Sequence, residues 1–437
     1  MRQHLSSAVW IIGGTALTAL GTLVGVRVLT QFLTPAVYGV VSLALGMSAL
    51  AISLVSTPLT QAAIHYYPSV TAQGSARDLL ASLQRCFLKM APWLLGAVLI
   101  GGAAFVGWGG GSLLLVVLLV LMLACDCWRS ANVSLLNAAR RNRHYALWVT
   151  ADTWARPLVA AAAVLLVGRT PEIVLGAYVV TAAILIALFS RNIWPTEPGT
   201  VTGPEASKQL DARMWTYAVP LIPMGIIGWA SNLGDRYVIG GILSVADAGL
   251  YAAIYGMSYA PFTLVGGTVE LALRPVHQAA VSRGDHAKAR SLFRMWVATV
   301  AGIGVVGVII YSFGHPLLAI LFVGKNFRSG SELMPWIGAG YAIRATSYVF
   351  ERVCYAYGQT RRVLTVQLIA VVATVICTPL GVLTLGLKGA AMAVPVYFSV
   401  QLLAAIFFAH RTMQEATASA CDSLVGAGHR AAEGSAQ

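Results

Sequence analysis

The chain has 437 residues, 58% of them hydrophobic and only 10% charged, with a formal net charge of +13. That balance excludes a soluble globular protein: apolar runs reaching the roughly 18 residues a helix needs to cross hydrocarbon recur along the whole length, and the short loops leave little room for a water-soluble catalytic domain. It also argues against a nucleic-acid partner, because the basic residues collect in every second loop, as the positive-inside bias of a multi-pass membrane protein predicts.

In chain order the apolar runs predict spans at about Ala8 to Leu29, Tyr38 to Ile64, Cys86 to Val106, Ser112 to Leu135, Leu147 to Val167 and Ile173 to Ser190. The first run is too long for a secretory signal and lacks a cleavage site, so it reads as a retained span. A polar stretch from Asn192 to Arg213, carrying Pro195, Pro198, Gly199, Gly203 and Pro204, is the strongest break in the chain. Six further spans follow: Trp215 to Leu233, Ala248 to Leu273, Phe293 to Phe313, Leu333 to Tyr357, Leu364 to Leu385 and Gly389 to His410. The expectation is an all-α polytopic membrane protein of about twelve transmembrane helices. An N-terminal lobe (1–191) and a C-terminal lobe (214–410) are joined by a cytoplasmic linker (192–213) and followed by a polar cytoplasmic tail (411–437).

Counting Lys and Arg gives the orientation. One set of loops holds Arg77 and Arg85; Arg140, Arg141 and Arg143; Lys208 and Arg213; Arg283, Lys288, Arg290 and Arg294; Arg361 and Arg362. The opposite loops hold chiefly Arg169, Arg236, Lys325, Arg328 and Lys388. The first set is cytoplasmic, and so are both termini.

The halves carry matching motifs. Leu33 to Gly39 followed by Gly46-Met47-Ser48 aligns without a gap with Leu243 to Gly249 followed by Gly256-Met257-Ser258. Six spans per half is an even number, so duplicated halves would enter from the same side and be related by a pseudo-two-fold axis along the membrane normal.

Those motifs, with Gly13-Gly14 leading to Arg27, Asn232 to Gly240, Ala248-Gly249-Leu250-Tyr251, Leu321 to Phe327 and Lys388-Gly389-Ala390-Ala391, resemble the polysaccharide repeat-unit flippases of the multidrug/oligosaccharidyl-lipid/polysaccharide exporter superfamily. The resemblance covers nearly the whole chain, although each motif is short. It implies a two-lobed transporter that moves an undecaprenyl-diphosphate-linked oligosaccharide by alternating access from the cytoplasmic to the periplasmic leaflet, for O-antigen, capsule or exopolysaccharide synthesis. Membrane lipids and a downstream polymerase with chain-length machinery are the partners it implies, with no cofactor and no enzymatic activity.

Ionisable residues inside spans are costly, about 2.5 to 3.5 kcal/mol each on insertion scales, and so face a cavity or a partner. Asp126 and Arg129 are three apart, while Asp152 and Arg156, and Glu270 and Arg274, are four apart, so each pair can meet on one helix face. Arg344 lies near mid-span, with Glu351 two turns on and Arg352 beside it. The expected substrate-binding set is therefore Arg344 and Arg156 with Arg27, Arg236 and Arg352, since a guanidinium stays charged and offers a fork of donors to phosphate oxygens. The same pairs also read as mutually neutralising packing devices, and Asp235-Arg236 as a wetted anchor at an external helix end. Asp152, Glu351 and Asp126 are candidate carriers of a coupling proton or sodium ion, and the sequence does not choose among them.

Tyr251, Tyr255 and Tyr259 form a stripe suited to helix packing or to stacking on sugar rings. Pro220, Pro223, Gly225 and Gly228, and Pro261, Gly266 and Gly267, interrupt two spans at kinks. His65, His144, His277 and His286 read as solvated cytoplasmic side chains. The six cysteines fall in spans or on the cytoplasmic side, and no metal-ligand spacing appears. Two other functions stay open. A multidrug or cation antiporter would favour acidic pore residues, and a polysaccharide polymerase would need a long external loop.

Overall fold

A computed structural model describes residues 2–72, 76–107, 112–190 and 204–434. Among the described residues thirteen α-helices run in chain order: α1 (Arg2–Phe32), α2 (Pro35–Ala51), α3 (Thr57–Ala72), α4 (Ala76–Gly107), α5 (Leu113–Ala138), α6 (Asn142–Leu166), α7 (Pro171–Ser190), α8 (Pro204–Ala218), α9 (Ile222–Ile242), α10 (Val245–Ser282), α11 (His286–Phe322), α12 (Met334–Ala356) and α13 (Thr360–Gly434). Each expected span falls on helix, and the protein is an all-helical multi-pass membrane protein. Among the described residues seven helical segments are long and apolar enough to cross a bilayer on their own, and one of them, Thr360–Glu415, holds two expected spans. Side chains such as Trp93, Leu166 and Phe313 stand exposed, as an exterior solvated by lipid requires. Residues 192–203 of the expected linker lie outside the described residues, while its remainder opens α8.

The helix boundaries have local causes. Thr34 caps α2, its hydroxyl accepting from the Val37 amide at 3.4 Å, with Pro35 in the first turn, where a missing N–H does no harm. Ser112 caps α5 in the same way and also donates to Glu172 at the start of α7, at 2.8 Å. The continuous α13 is broken at Gly386, whose φ of 59° lies in the left-handed region that glycine enters without a Cβ clash. That break separates the eleventh and twelfth expected spans.

Two interruptions lie inside expected spans. A π turn at Ile52–Ser56 joins α2 to α3, and a 3-10 turn at Val219–Leu221 joins α8 to α9 around Pro220. The second follows from the missing proline donor. The first has no sequence signal, and α9 packs on it so closely that a Cβ on Gly225 would overlap the Ser53 carbonyl.

By contacts the chain forms two compact units, Met1–Ala253 with Ala319–Ser329, and Ile254–Leu318 with Gly330–Gln437. The expected lobes group the chain by sequence repeat instead. In the first unit, one core joins α1, α2, α5, α6 and α7 around Met122, Val174 and Leu175, and a second joins α3, α4, α5 and α8 around Leu59, Cys86 and Met214. In the second unit, α11, α12 and α13 close around Trp296, Val353 and Val366.

The matching motifs touch each other within the first unit. A Cβ on Gly39 would overlap the Val245 carbonyl, and one on Gly249 would overlap the Pro35 carbonyl. The repeat alignment pairs Gly39 with Gly249 and Pro35 with Val245, so this contact maps onto itself when the copies are exchanged. Beside it the Gly324 amide donates to Thr30 Oγ1 at 2.9 Å, and Tyr38 meets Phe327 edge-on at 5.5 Å.

Candidate functional site

Among the described residues, charged side chains of the spans gather into three main constellations. In the first unit, α5 and α6 bring Asp126, Arg129, Asp152 and Arg156 together. Arg156 donates through Nη2 to Asp126 at 2.5 Å and through Nε to Asp152 at 2.7 Å. Arg129 stands 3.5 Å from Asp152 and 3.7 Å from Asp126. Ser48 of α2 donates to the second Asp126 oxygen at 2.6 Å. Both i,i+3 and i,i+4 pairs thus form, and they join into one network across two helices. Arg156 is 8% exposed, and its charge is matched: two guanidiniums face two carboxylates, with no net charge left over.

The second constellation lies in the second unit, on α10, α12 and α13. Arg344 donates to the Tyr348 hydroxyl from Nε at 2.9 Å and from Nη2 at 2.7 Å, and its Nη1 reaches the Tyr341 hydroxyl at 3.3 Å. Its guanidinium carbon sits 5.0 to 5.4 Å from the ring centres of Phe398, Tyr348 and Tyr341, within cation–π range. Tyr341 is held in turn by Tyr255, the two hydroxyls lying 2.8 Å apart. One turn beyond Tyr348, Arg352 pairs with Glu270 at 2.7 Å, and Arg274 joins the same carboxylate at 3.2 Å. Among these four side chains three guanidiniums stand with one carboxylate, and Arg274 and Arg352 share it. Arg344, Arg352 and Glu270 line one cavity of about 150 Å³ together with Tyr341, Tyr348 and Trp296.

The third constellation surrounds Glu351, which is 3% exposed. The shared face expected for Arg344 and Glu351 is used differently at its two ends. Glu351 accepts from Gln367 at 2.7 Å, Gln401 at 2.9 Å and Ser347 at 3.4 Å. A glutamine side chain presents an N–H or a carbonyl oxygen as needed, so this shell can satisfy the carboxyl with or without its proton.

The remaining expected residues have other surroundings. Arg27 donates to the Val323 carbonyl at the end of α11, where a cation complements the helix dipole. Arg236 is half-buried and its amide donates to Asp235 at 2.8 Å. The wetted anchor expected there is corrected: Asp235 is only 5% exposed, because α9 turns it inward. His277, expected in solvent, is 3% exposed, its ring centre 6.2 Å from that of Trp296. Burial pushes its imidazole below the ordinary value. Tyr251 and Tyr255 are buried packing residues. Among the described residues no group of His, Cys, Asp and Glu side chains could hold a metal ion.

Sequence reasoning passed over several partners. Gln367 and Gln401 are amides inside apolar runs, which could have marked them as partners of a buried acid. Asp211 on α8 carried no signal of its own. It accepts from Arg85 Nε at 3.0 Å, Arg85 Nη2 at 2.8 Å and Ser82 at 2.5 Å, clasping α8 to α4. Burial works to raise this carboxyl, but the hydrogen bonds from Arg85 and Ser82 outweigh it and hold it below the usual carboxylate range. A further cavity of about 430 Å³ between the π turn and α9 is lined by uncharged Ser53, Thr57, Gln61 and Asn232.

The sequence profile described as polysaccharide biosynthesis protein matches residues 5–281, more than half of the chain. No curated protein sequence matches. Among solved structures, the lipid II flippase MurJ in an inward closed conformation is similar with a TM-score of 0.71 at 12% identity, covering 92% of this chain and 88% of its own. An inward-facing multidrug resistance MATE family transporter of the MOP superfamily gives 0.65 at 11% identity over 95% and 94%. The Vibrio cholerae MATE transporter VcmN gives 0.56 at 13% identity over 96% and 97%. The likeness is one of fold.

Proposed function

We propose, from the premise that this chain belongs to the polysaccharide biosynthesis protein family, that it is the transporter that carries an undecaprenyl-diphosphate-linked oligosaccharide repeat unit from the cytoplasmic to the periplasmic leaflet of a bacterial inner membrane. The observation that carries this reading is the difference in partners between the two arginine constellations. Arg156 is bound by two carboxylates where it stands, whereas Arg344 donates to the Tyr341 and Tyr348 hydroxyls beside a cavity that Arg352 also lines. A lipid diphosphate bearing a sugar has about two negative charges to match, and a guanidinium meets phosphate oxygens with paired donors. Arg344 and Arg352 are therefore the head-group residues, with Arg156, Arg27 and Arg236 holding the scaffold.

The wider architecture follows from the same premise. Twelve helical segments form two six-helix lobes, 1–191 and 214–410, related by a pseudo-two-fold axis along the membrane normal. The reciprocal contact of Gly39 and Gly249 supports this arrangement. Alternating access then presents the cationic site to one leaflet and the other, with both termini in the cytoplasm and a polymerase consuming the product outside. Glu351 is the group best suited to carry a coupling proton, since its described hydrogen-bond donors are neutral, whereas Asp126 and Asp152 are fixed by arginines.

A cation antiporter of the same fold is the competing reading, and a cavity lined by Arg344 and Arg352 opposes it. Deletion of the gene should trap lipid-linked oligosaccharide on the inner leaflet, where a glycosidase or lectin added to the outside of spheroplasts cannot reach it. Unchanged outer-leaflet exposure after deletion would end the proposal.

A further inference from the structure

The cavity of about 430 Å³ between the π turn and α9 lies wholly within the first unit. Its wall differs from the lipid-facing exterior. Exterior positions of the same unit such as Leu121, Leu165 and Leu188 are exposed and apolar, whereas here Thr57, Gln61 and Asn232 stand exposed inside expected spans. An amide or hydroxyl facing hydrocarbon is costly, so polar side chains within a span mark a wet space. The helix is wound to place them there. Ala49, Ser53, Thr57 and Gln61 all line the cavity, each four residues after the last. In a regular helix of about 3.6 residues per turn, three such steps would carry Gln61 about 120° out of line with Ala49. A π turn holds more residues per turn and takes back part of that rotation, and the turn at Ile52–Ser56 falls within these steps. On the α9 side, Gly228 lines the same space, and a Cβ there would meet nothing within 4 Å. Trp229 lines it as well, its N–H already donating to the Gly46 carbonyl at 2.8 Å.

These features define the chemistry of an occupant. Among the described residues that line the space none is charged, so a phosphate finds no cation there and an organic cation no carboxylate. A hydrocarbon chain would leave Thr57, Gln61 and Asn232 facing oil. A neutral sugar fits, because its hydroxyls both donate to and accept from amides and hydroxyls, and its C–H faces suit the apolar remainder of the wall. A sugar acid does not, because its carboxylate would give up water with no cation to replace it.

We infer that this seam seats uncharged sugars of the lipid-linked oligosaccharide, with Thr57, Gln61 and Asn232 hydrogen-bonding to their hydroxyls, and so selects repeat units of neutral hexoses or N-acetylhexosamines over those carrying hexuronic acids. This rests on the saccharide-transport reading given above and adds to it the class of sugar. It also gives the π turn a role, that of aligning Thr57 and Gln61 on one groove.

The test measures binding of three synthetic lipids to the full-length protein in nanodiscs: undecaprenyl diphosphate, the same lipid bearing a neutral trisaccharide of glucose and N-acetylglucosamine, and that glycolipid with its outer glucose replaced by glucuronic acid. Wild type should bind the neutral glycolipid at least about 10-fold more tightly than the acidic one, the penalty of one charge left without a partner. Gln61→Leu should weaken the neutral glycolipid about 3- to 10-fold, the range of one neutral hydrogen bond, and leave the sugar-free lipid unchanged. Gly228→Leu fills the groove and should bring both glycolipids to the affinity of the sugar-free lipid. Gln61→Arg should tighten the acidic glycolipid about 10-fold, a gain that loss of folding cannot produce. If wild type binds the neutral and acidic glycolipids alike, or if Gln61→Leu and Gly228→Leu both keep wild-type affinity for the neutral one, the seam holds only water and its sugar role is overturned, while the transport reading stands on the binding of the lipids themselves. If wild type binds none of the three lipids, the transport reading falls, and the sugar role of the seam with it.

Discussion

Replacing Arg156 by Gln removes a guanidinium that bridges two buried carboxylates. Two charge-assisted hydrogen bonds are lost, at 2.5 Å to Asp126 and 2.7 Å to Asp152. Each such bond is worth about 1.5 to 3 kcal/mol net, and breaking a buried ion pair from one side costs about 3 to 5 kcal/mol. Arg129 remains, but at 3.5 and 3.7 Å it cannot replace both bonds. The expected destabilisation is about 4 kcal/mol, read as a lowered unfolding midpoint in detergent and reduced abundance in the membrane. The sign of the residual charge provides an internal control. Arg156→Gln leaves the network at −1, and adding Asp126→Asn returns it to neutrality, so the double variant should recover about 2 kcal/mol of the loss. An Arg156→Gln variant as stable as wild type, or a double variant less stable than the single, would show that the network does not hold α5 and α6 together.

Three further outcomes are expected. Glu351→Gln keeps the shape of the side chain and hydrogen bonds with Gln367 and Gln401, so folding should be preserved while transport in vesicles loses its response to an imposed proton gradient; an intact response would remove Glu351 from coupling. Asp211→Asn should loosen α8 from α4 by about 1 kcal/mol, a small value because Arg85 is 39% exposed and water screens the pair. Because the folded Asp211 carboxyl lies below its unfolded value, the clasp is at full strength above about pH 4 to 5 and weakens only as pH falls through the folded value. Hydrogen exchange of α8 should therefore be insensitive to Asp211 ionisation between about pH 5 and 8 once intrinsic rates are divided out, and a clasp that loosened in that window would contradict the assignment. Gly249→Ala places a methyl group on the Pro35 carbonyl and should destabilise by about 1 to 3 kcal/mol, the range for overpacking, in thermal unfolding; a neutral effect would show that the reciprocal seam is not tight.

Helix positions were legible because period and length are local properties: each apolar run fell on a helix, and the break in α13 at Gly386 lies between the eleventh and twelfth runs. The i,i+3 and i,i+4 ion pairs were legible for the same reason, since helix geometry alone brings Asp126 to Arg129 and Asp152 to Arg156. Sequence could not reveal that these two pairs share partners, because that depends on how α5 and α6 pack. It did set Arg344, near mid-span without a close acidic neighbour, apart from Arg156, which has Asp152 four residues away; what it could not show is that Asp126 of α5 is a second partner of Arg156. Glu351 was visible as a buried acid, but its glutamine shell draws on two distant parts of α13. The π turn at Ile52–Ser56 was hidden because its residues are compatible with ordinary helix.

The central claim is that the positive charge of Arg344, and not that of Arg156, receives the lipid diphosphate. The most direct measurement is flipping of the extracted lipid-linked oligosaccharide in proteoliposomes by Arg344→Gln and by the Arg156→Gln/Asp126→Asn double variant, at matched amounts of folded protein. The account predicts that the first loses transport by at least about 10-fold, the equivalent of one charge-assisted contact, while the second keeps it within a few-fold of wild type. Transport retained by Arg344→Gln and lost in the neutral Arg156→Gln/Asp126→Asn double variant would contradict it.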